Sequence, residues 1–376
     1  MPDGEPVVSV AGLHIVIDGR ELVGRPTGVG RYLMGLLTEW ARDPGPNRFT
    51  VIVPGDVPPE VSALSPAIAV HALSARSMGT WFEQTALPRI ARELRSDVFF
   101  APAYTAPLRL PCPFVVAIYD LSYFAHPEWF GWREGLRRRW ITKAAAQRAS
   151  GVVTISEFSS SELQRYLGLT ASEIDIAPPG SPRDTADDAP SVSARPRLVL
   201  YAGSIFARRG VPSLIAAFAD VVRAVPDARL VLVGENRSTP PIDPAALASA
   251  ADIASHVEWH RYVPDAELHA LYARARVFAF LSEYEGFAMT PMEAIAEGVP
   301  VVLRDTPIAR EVYADGAACV GPDRATLAAT LIRLLTDDTA HAELLARGRQ
   351  RLSTFNWSHS AAVVRHTLER AGARRP

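Results

Sequence analysis

Lysine is almost missing from this chain: Lys143 is the only one, and the other basic residues are arginines. In all, 39 basic residues face 41 acidic ones, a formal net charge of −2. No global bias therefore draws the chain to nucleic acid or to an acidic polymer. Cysteine is as scarce. Cys112 and Cys319 lie far apart, and neither has a Cys or His at metal-ligand spacing. That argues against a disulfide framework or a zinc site and for two reduced thiols in a cytoplasmic protein. No uncharged apolar run approaches the ~18 residues that cross a bilayer. The first twenty residues lack the basic-then-apolar order of a secretory signal. The expectation is a soluble protein, cytoplasmic, at most peripheral on the inner face of a membrane. What is present is apolar bulk: 48% of 376 residues are hydrophobic, enough for two separate cores.

Short apolar runs alternate with longer amphipathic ones. Leu13–Asp18, Phe49–Val53, Asp97–Ala101, Phe114–Ile118 and Val152–Ile155 have the Val, Ile and Phe content of strands. Between them, Arg31–Trp40 sets Leu33, Leu36, Leu37 and Trp40 on one helical face. Trp81–Leu94, Trp132–Ala149 and Glu157–Leu167 also read as helices, the last with Ser156 as N-cap. The alternation stops in the Pro-, Asp- and Ser-rich stretch 181–196 and then restarts. Arg197–Ala202, Leu230–Gly234, Val257–Trp259, Val277–Leu281 and Val299–Leu303 are the second set of strands. Strands alternating with helices imply parallel sheets with crossover helices. The expected fold class is α/β: two Rossmann-like domains, residues 1–180 and 197–355, with parallel sheets facing across a cleft. Residues 181–196 form the linker and 356–376 a final helix expected to pack back on the N-terminal domain. Ligands of such sheets bind outside the carboxyl ends of the strands.

Four segments carry chemistry. In Glu285-Gly286-Phe287-Ala288-Met289-Thr-Pro-Met-Glu293, two carboxylates stand eight positions apart across a strand-to-helix junction. A helix N-terminus offers unpaired N–H groups and positive potential, which suits a diphosphate. Gly286 lets backbone approach a ligand; Glu285 can meet sugar hydroxyls and Glu293 ribose hydroxyls. In Tyr201-Ala-Gly203-Ser-Ile-Phe-Ala-Arg208-Arg209-Gly210, two guanidinium groups follow a strand, placed for bidentate phosphate contacts. Gly28-Val29-Gly30, opening the first helix, could also approach phosphate, but the third glycine of a dinucleotide fingerprint is absent. Tyr119 and Asp120 close a strand, with His126 shortly after as a candidate base. Three have a plainer reading, as surface glutamates on a helix start, a solvated basic turn and a hydrogen-bonded structural histidine, and a Gly-x-Gly by itself is a weak signal.

Taken in order, these segments resemble the retaining glycosyltransferases of family 4 (glycosyltransferase group 1), which share the E-x7-E motif and the GT-B fold. The stretches Arg25–Tyr32, Glu83-Gln84, Asp97–Pro107, Asp120–Phe130 and Thr154–Glu162 extend the likeness towards a bacterial mannosyltransferase subgroup. The resemblance implies transfer of a hexosyl group from a nucleotide sugar to a hydroxyl acceptor, with no metal or other cofactor. It implies donor binding on the second domain and acceptor binding on the first. The family's phosphate-binding Arg-Lys pair falls on Arg208 and Arg209 and its two glutamates on Glu285 and Glu293. Backbone from Gly286 to Met289 would hold phosphate or sugar. The nucleotide base would meet loop backbone and apolar side chains such as Val263, and GDP-mannose is the expected donor. The sequence departs from the pattern in three places. Tyr119 replaces a His before Asp-Leu, Arg209 replaces Lys, and Ala103 replaces a frequent His. A phenol, with an ordinary pKa of ~10, is a poor base at neutral pH.

The absence of any Asp-x-Asp argues against metal-dependent single-sheet transferases. The rival readings are an epimerase or hydrolase using the same donor, a non-catalytic sugar-nucleotide binder, and a nicotinamide oxidoreductase. The acceptor is a glycan, a lipid-linked species or a small molecule. Trp132–Trp140, with arginines at 133, 137, 138 and 139, is either a solvated helix face or a surface for an anionic membrane or lipid-linked acceptor.

Overall fold

Apolar runs of Val, Ile, Leu and Phe too short for helices are buried on both faces here, as all-parallel sheets require. The computed structural model describes residues 12–24, 27–74, 79–182 and 195–373. These fall into two compact units, divided after Gly180 and again after Asn356, so the last helix belongs with the first unit. Most of the stretch read as a linker, residues 183–194, lies outside the described residues, as do Arg25 and Pro26.

The first unit is built on β1 (His14–Asp18), β2 (Arg48–Pro54), β3 (Ile68–Leu73), β4 (Val98–Ala101), β5 (Phe114–Ala117), β6 (Gly151–Thr154) and β7 (Ile174–Ile176). They lie in the order β3-β2-β1-β4-β5-β6-β7, and every pairing is parallel. Ile15 and Ile17 on β1, Val51 on β2 and Phe99 on β4 are fully buried. Trp40, on helix Gly28–Arg42, stacks on Phe49 with ring centroids 5.0 Å apart.

The final helix, Trp357–Ala373, returns to this sheet. Trp357 fills a notch beside two glycines: a Cβ at Gly35 would come within 2.5 Å of its ring and one at Gly180 within 2.3 Å. Trp40 Nε1 donates to Ala361 O (3.0 Å), Asn47 Nδ2 to Glu369 Oε1 (2.7 Å) and Thr367 Oγ1 to Asp175 Oδ2 (2.8 Å).

The second unit holds β8 (Leu198–Ala202), β9 (Arg229–Val233), β10 (Val257–His260), β11 (Val277–Phe280), β12 (Val301–Arg304) and β13 (Ala318–Val320). Their order is β10-β9-β8-β11-β12-β13, again all parallel. Both sheets reverse their winding between the first and fourth strands of the unit. This creates a switch point at the carboxyl ends of β1 and β4 in one unit and of β8 and β11 in the other.

The strands absent from the sequence reading, β3, β7 and β13, all lie at sheet edges. An edge strand is half exposed, so it lacks the continuous buried apolar run of a central strand.

Candidate functional site

At the switch point of the second sheet, three glycines adopt positive φ, and at two of them a Cβ would collide with neighbouring backbone. Gly203, directly after β8, has φ +145°, and a Cβ there would lie 3.1 Å from Arg209 Nη1. Gly234, directly after β9, has φ +152°, and its Cβ would fall 1.9 Å from the Gly203 carbonyl oxygen. Gly210 adopts φ +65° between the single turn Ala207–Arg209 and helix Val211–Ala224. Its Cβ would lie 2.8 Å from Leu281 O, so the arginine turn lies directly against the end of β11.

That contact joins the two strongest motifs. Arg209 Nε donates to Glu285 Oε1 at 3.0 Å, and Arg209 Nη1 to Ser204 O at 3.2 Å. Glu285 Oε1 also accepts from Ser282 Oγ at 2.8 Å. The guanidinium carbon of Arg209 lies 5.2 Å from the Phe280 ring centroid, and that of Arg208 4.3 Å from Phe206. Both members of the ion pair are largely buried. Burial pulls the Arg209 pKa down, but the charges of Glu285 and Tyr201 outweigh it and leave it above the ordinary arginine value. Burial pushes the Tyr201 phenol up to about 12, against the pull of Arg209, and its hydroxyl donates to Ser204 O at 3.0 Å. A fixed cation, held in register by a carboxylate, thus stands at the carboxyl end of the sheet. Such pre-organised charge can stabilise an anion without reorganising.

Beyond Glu285 the chain turns sharply. Ala288 is left-handed (φ 65°, ψ 76°) and caps helix Met289–Ala296. The buried Tyr313 donates its hydroxyl to Ala288 O, which pins the turn. Ala288, Met289 and Glu293 stay partly exposed, whereas Gly286 and Phe287 are buried. The Phe287 ring packs edge-on against Phe355, 5.2 Å between centroids, so only its backbone can serve a ligand. Val263, in the loop after β10, is also buried. A recess beside Glu285 and Ala288 is completed by Leu303, Arg304, Thr306 and Tyr313. The last four escaped the sequence reading because no local spacing ties them to Glu285; only the adjacency of β11 and β12 does. Among the described residues no three His, Cys, Asp or Glu side chains cluster as a metal site requires.

The first unit departs further from expectation. Gly30 N donates to the N-cap Thr27 Oγ1 at 3.0 Å, and a Cβ at Gly30 would lie 2.3 Å from Glu21 O. That glycine answers a packing need, and its N–H is engaged within the fold. Gly28 and Val29 begin the same helix, with Gly28 exposed and open space where its Cβ would be. Tyr119 does not present its phenol outward: it is buried, and its hydroxyl donates to Pro102 O at 2.6 Å. Its ring sits edge-on to Tyr32 and Tyr104, and burial raises its pKa well above 10. Asp120 accepts from Tyr104 OH at 2.7 Å and from Ser122 N at 2.9 Å. These geometries support positioning roles for both residues and lend nothing to a reacting one. His126 stacks on Trp129, with centroids 3.9 Å apart, and its Nδ1 lies 3.1 Å from Glu128 Oε1.

A third cluster stands where β1 ends. Arg20 binds Asp18 through Nε (3.0 and 2.9 Å) and Nη2 (2.7 Å), and the same Nη2 reaches Glu83 Oε2 at 2.9 Å. Thr105 Oγ1 also donates to Glu83 Oε2, at 3.0 Å.

Comparison with known proteins agrees with this architecture. Residues 26–184 match the family described as Glycosyltransferase Family 4, and residues 183–351 that described as Glycosyl transferases group 1. O-antigen chain mannosyltransferase B of Escherichia coli is 27% identical over 292 residues, 71% of this chain and 73% of that protein. MMP alpha-(1->4)-mannosyltransferase of Mycolicibacterium hassiacum is 30% identical over 254 residues, 65% of this chain and 61% of that one, less than two thirds of its length. Sucrose-phosphate synthase from Thermosynechococcus elongatus has a similar fold, with a TM-score of 0.75 at 18% identity, covering 96% of this chain and all of that one. Anabaena HepE, solved in complex with UDP and glucose, scores 0.72 at 18% identity, covering 95% and 99%. Between them the two family matches run from residue 26 to residue 351, through every strand but β1, and the chain belongs to the group 1 glycosyltransferases, with a family 4 N-terminal half and the GT-B fold.

Proposed function

We propose that this glycosyltransferase moves a hexosyl group, mannose from GDP-mannose, from a nucleotide sugar to a hydroxyl acceptor, with retention and without a metal. The observation that carries the reading is the Arg209–Glu285 pair, fixed where β8 and β11 end and at the head of helix Met289–Ala296. Two relatives named as mannosyltransferases support the choice of sugar.

In this reaction the bond between the sugar C1 and the β-phosphate oxygen breaks. Arg208, Arg209 and the N-terminal amides of helix Met289–Ala296 stabilise the charge that develops on the leaving diphosphate. The acceptor oxygen bonds to C1 on the face the diphosphate leaves, and its proton passes to a diphosphate oxygen. No protein base is required, so the engaged hydroxyl of Tyr119 is no obstacle. Glu285 keeps Arg209 aimed while its remaining oxygen meets sugar hydroxyls, and Glu293 binds the ribose. The reading assigns acceptor recognition to the first unit.

The test is thermal shift with GDP-, UDP-, dTDP- and ADP-sugars on wild type and Glu293→Ala. It is followed by release of nucleoside diphosphate with and without acceptors. Stabilisation by GDP-mannose, lost in Glu293→Ala, and acceptor-dependent release are the expected results. Stabilisation by no nucleotide sugar would sink the reading. Release without any acceptor would favour the hydrolase or epimerase alternative.

A further inference from the structure

Among the described residues, five large hydrophobic side chains are exposed, and four of them gather on one surface of the first unit: Trp81, Trp132, Leu136 and Trp140, at 81, 72, 57 and 64% exposure. Three lie on helix Trp132–Arg148 at i, i+4 and i+8, which makes a single stripe along its outer face. The inner face is filled by Gly135, Ile141, Thr142, Ala144, Ala145 and Ala146, all buried. The stripe is therefore surplus to the core. Trp81 joins it from helix Thr80–Glu93, whose first residue is tied to the other helix by Arg137 Nη1 donating to Thr80 Oγ1 at 3.0 Å.

The charges around the stripe have one sign. Helix Trp132–Arg148 carries Arg133, Arg137, Arg138, Arg139, Lys143 and Arg148 against the single acid Glu134. At 100° per residue, Arg133 and Arg137 flank the stripe on one side and Arg139 on the other. Lys143, the chain's only lysine, continues it. Glu134 is turned away and pairs with Arg138 at 2.6 Å. The Arg133 guanidinium carbon lies 5.0 Å from the Trp132 ring centroid, so cation and indole share one patch.

We propose that this surface docks the protein on an anionic lipid bilayer. Indole rings are at their most stable at the headgroup level, where the apolar body is buried and the N–H stays wet. Arginines beside them reach lipid phosphates while their stems cover apolar surface. The stripe's cationic flanks match a plane of negative headgroups. The inference is independent of the sugar chemistry.

The experiment is flotation of the full chain with vesicles of phosphatidylcholine alone or mixed with phosphatidylglycerol. Variants are Trp132→Ala/Trp140→Ala and Arg133→Glu/Arg137→Glu/Arg139→Glu. The wild type is expected to float with the anionic vesicles only, less so as salt is raised. The arginine variant should bind more than about tenfold more weakly, and the tryptophan variant should lose binding at high salt first. Brominated anionic lipid should quench the wild-type tryptophan emission, a readout independent of how the variants fold. Absence of flotation, variants that bind as the wild type does, or no quenching would each overturn the proposal. So would sedimentation showing that the stripe instead joins two copies of the chain.

Discussion

Replacing Arg20 by methionine leaves two buried carboxylates of the first unit uncompensated. Asp18 and Glu83 are both buried, and both accept from the same guanidinium nitrogen, at 2.7 and 2.9 Å. Methionine keeps much of the side-chain volume but leaves two carboxylates without a counter-ion. Breaking a buried ion pair by removing one partner costs about 3–5 kcal/mol. That is a large share of the ~5–15 kcal/mol by which a domain is stable. The assay is denaturant unfolding, with the transitions of the two units followed separately, since two domains need not unfold as one. The first unit's transition should move and the second's should not. Acidification neutralises uncompensated carboxylates, so the gap between Arg20→Met and wild type should narrow as pH falls. Glu83→Gln should cost less, because Asp18 still pairs with Arg20 and the amide still meets Thr105. Adding Glu83→Gln to Arg20→Met should recover part of the loss. A cost below ~1 kcal/mol at neutral pH, or a gap that ignores pH, would refute the reasoning.

Tyr119→Phe removes only the hydroxyl bonded to Pro102 O; stability should fall by about 1 kcal/mol with kcat unchanged, and a tenfold drop in kcat would restore a reacting role to the phenol. Arg208→Ala should lower kcat about a hundredfold with a small change in unfolding, as steady-state kinetics on the natural donor would measure. Gly234→Ala forces a methyl to within 1.9 Å of Gly203 O; calorimetry should show the second unit destabilised and the donor-induced shift lost. His341 is buried, and burial, then Arg276 and Arg195, lowers its pKa to about 4. An unfolded histidine titrates near 6.5 and takes up protons first as pH falls, so stability present above ~6.5 is lost on the way down towards pH 4. The loss is of order 3 kcal/mol, and His341→Leu should flatten that slope in pH-dependent unfolding.

The central strands and long helices were legible in the sequence because the physics that forms them is local. Val277–Phe280 and residues 301–303 are continuous apolar runs, and Glu157–Leu167 is announced by Ser156, whose side chain accepts from Ser159 N. Glu285 and Arg209 could each be singled out by type and position, but their union could not. It depends on β8 pairing with β11, which brings together two side chains 76 residues apart in sequence. Gly30 misled for a related reason: a glycine at a helix start suits a ligand or a neighbouring chain equally well, and here the neighbour is Glu21. The place of Tyr119 at a strand end does not fix its orientation, which is set by Tyr32, Tyr104 and Pro102, none of them its neighbour in sequence.

The return of helix Trp357–Ala373 to the first sheet bears on the order in which the protein can be made. A ribosome delivers residues up to Gly180 with the notch beside Gly35 still empty and Trp40 Nε1 lacking the Ala361 carbonyl. The second unit is one continuous stretch, Ser181–Asn356, and has every residue it needs before Trp357 is synthesised. The unit encoded first is thus the last that can be completed. A chain released before Trp357 would carry a finished second unit behind an unfinished first one, open to chaperones and proteases.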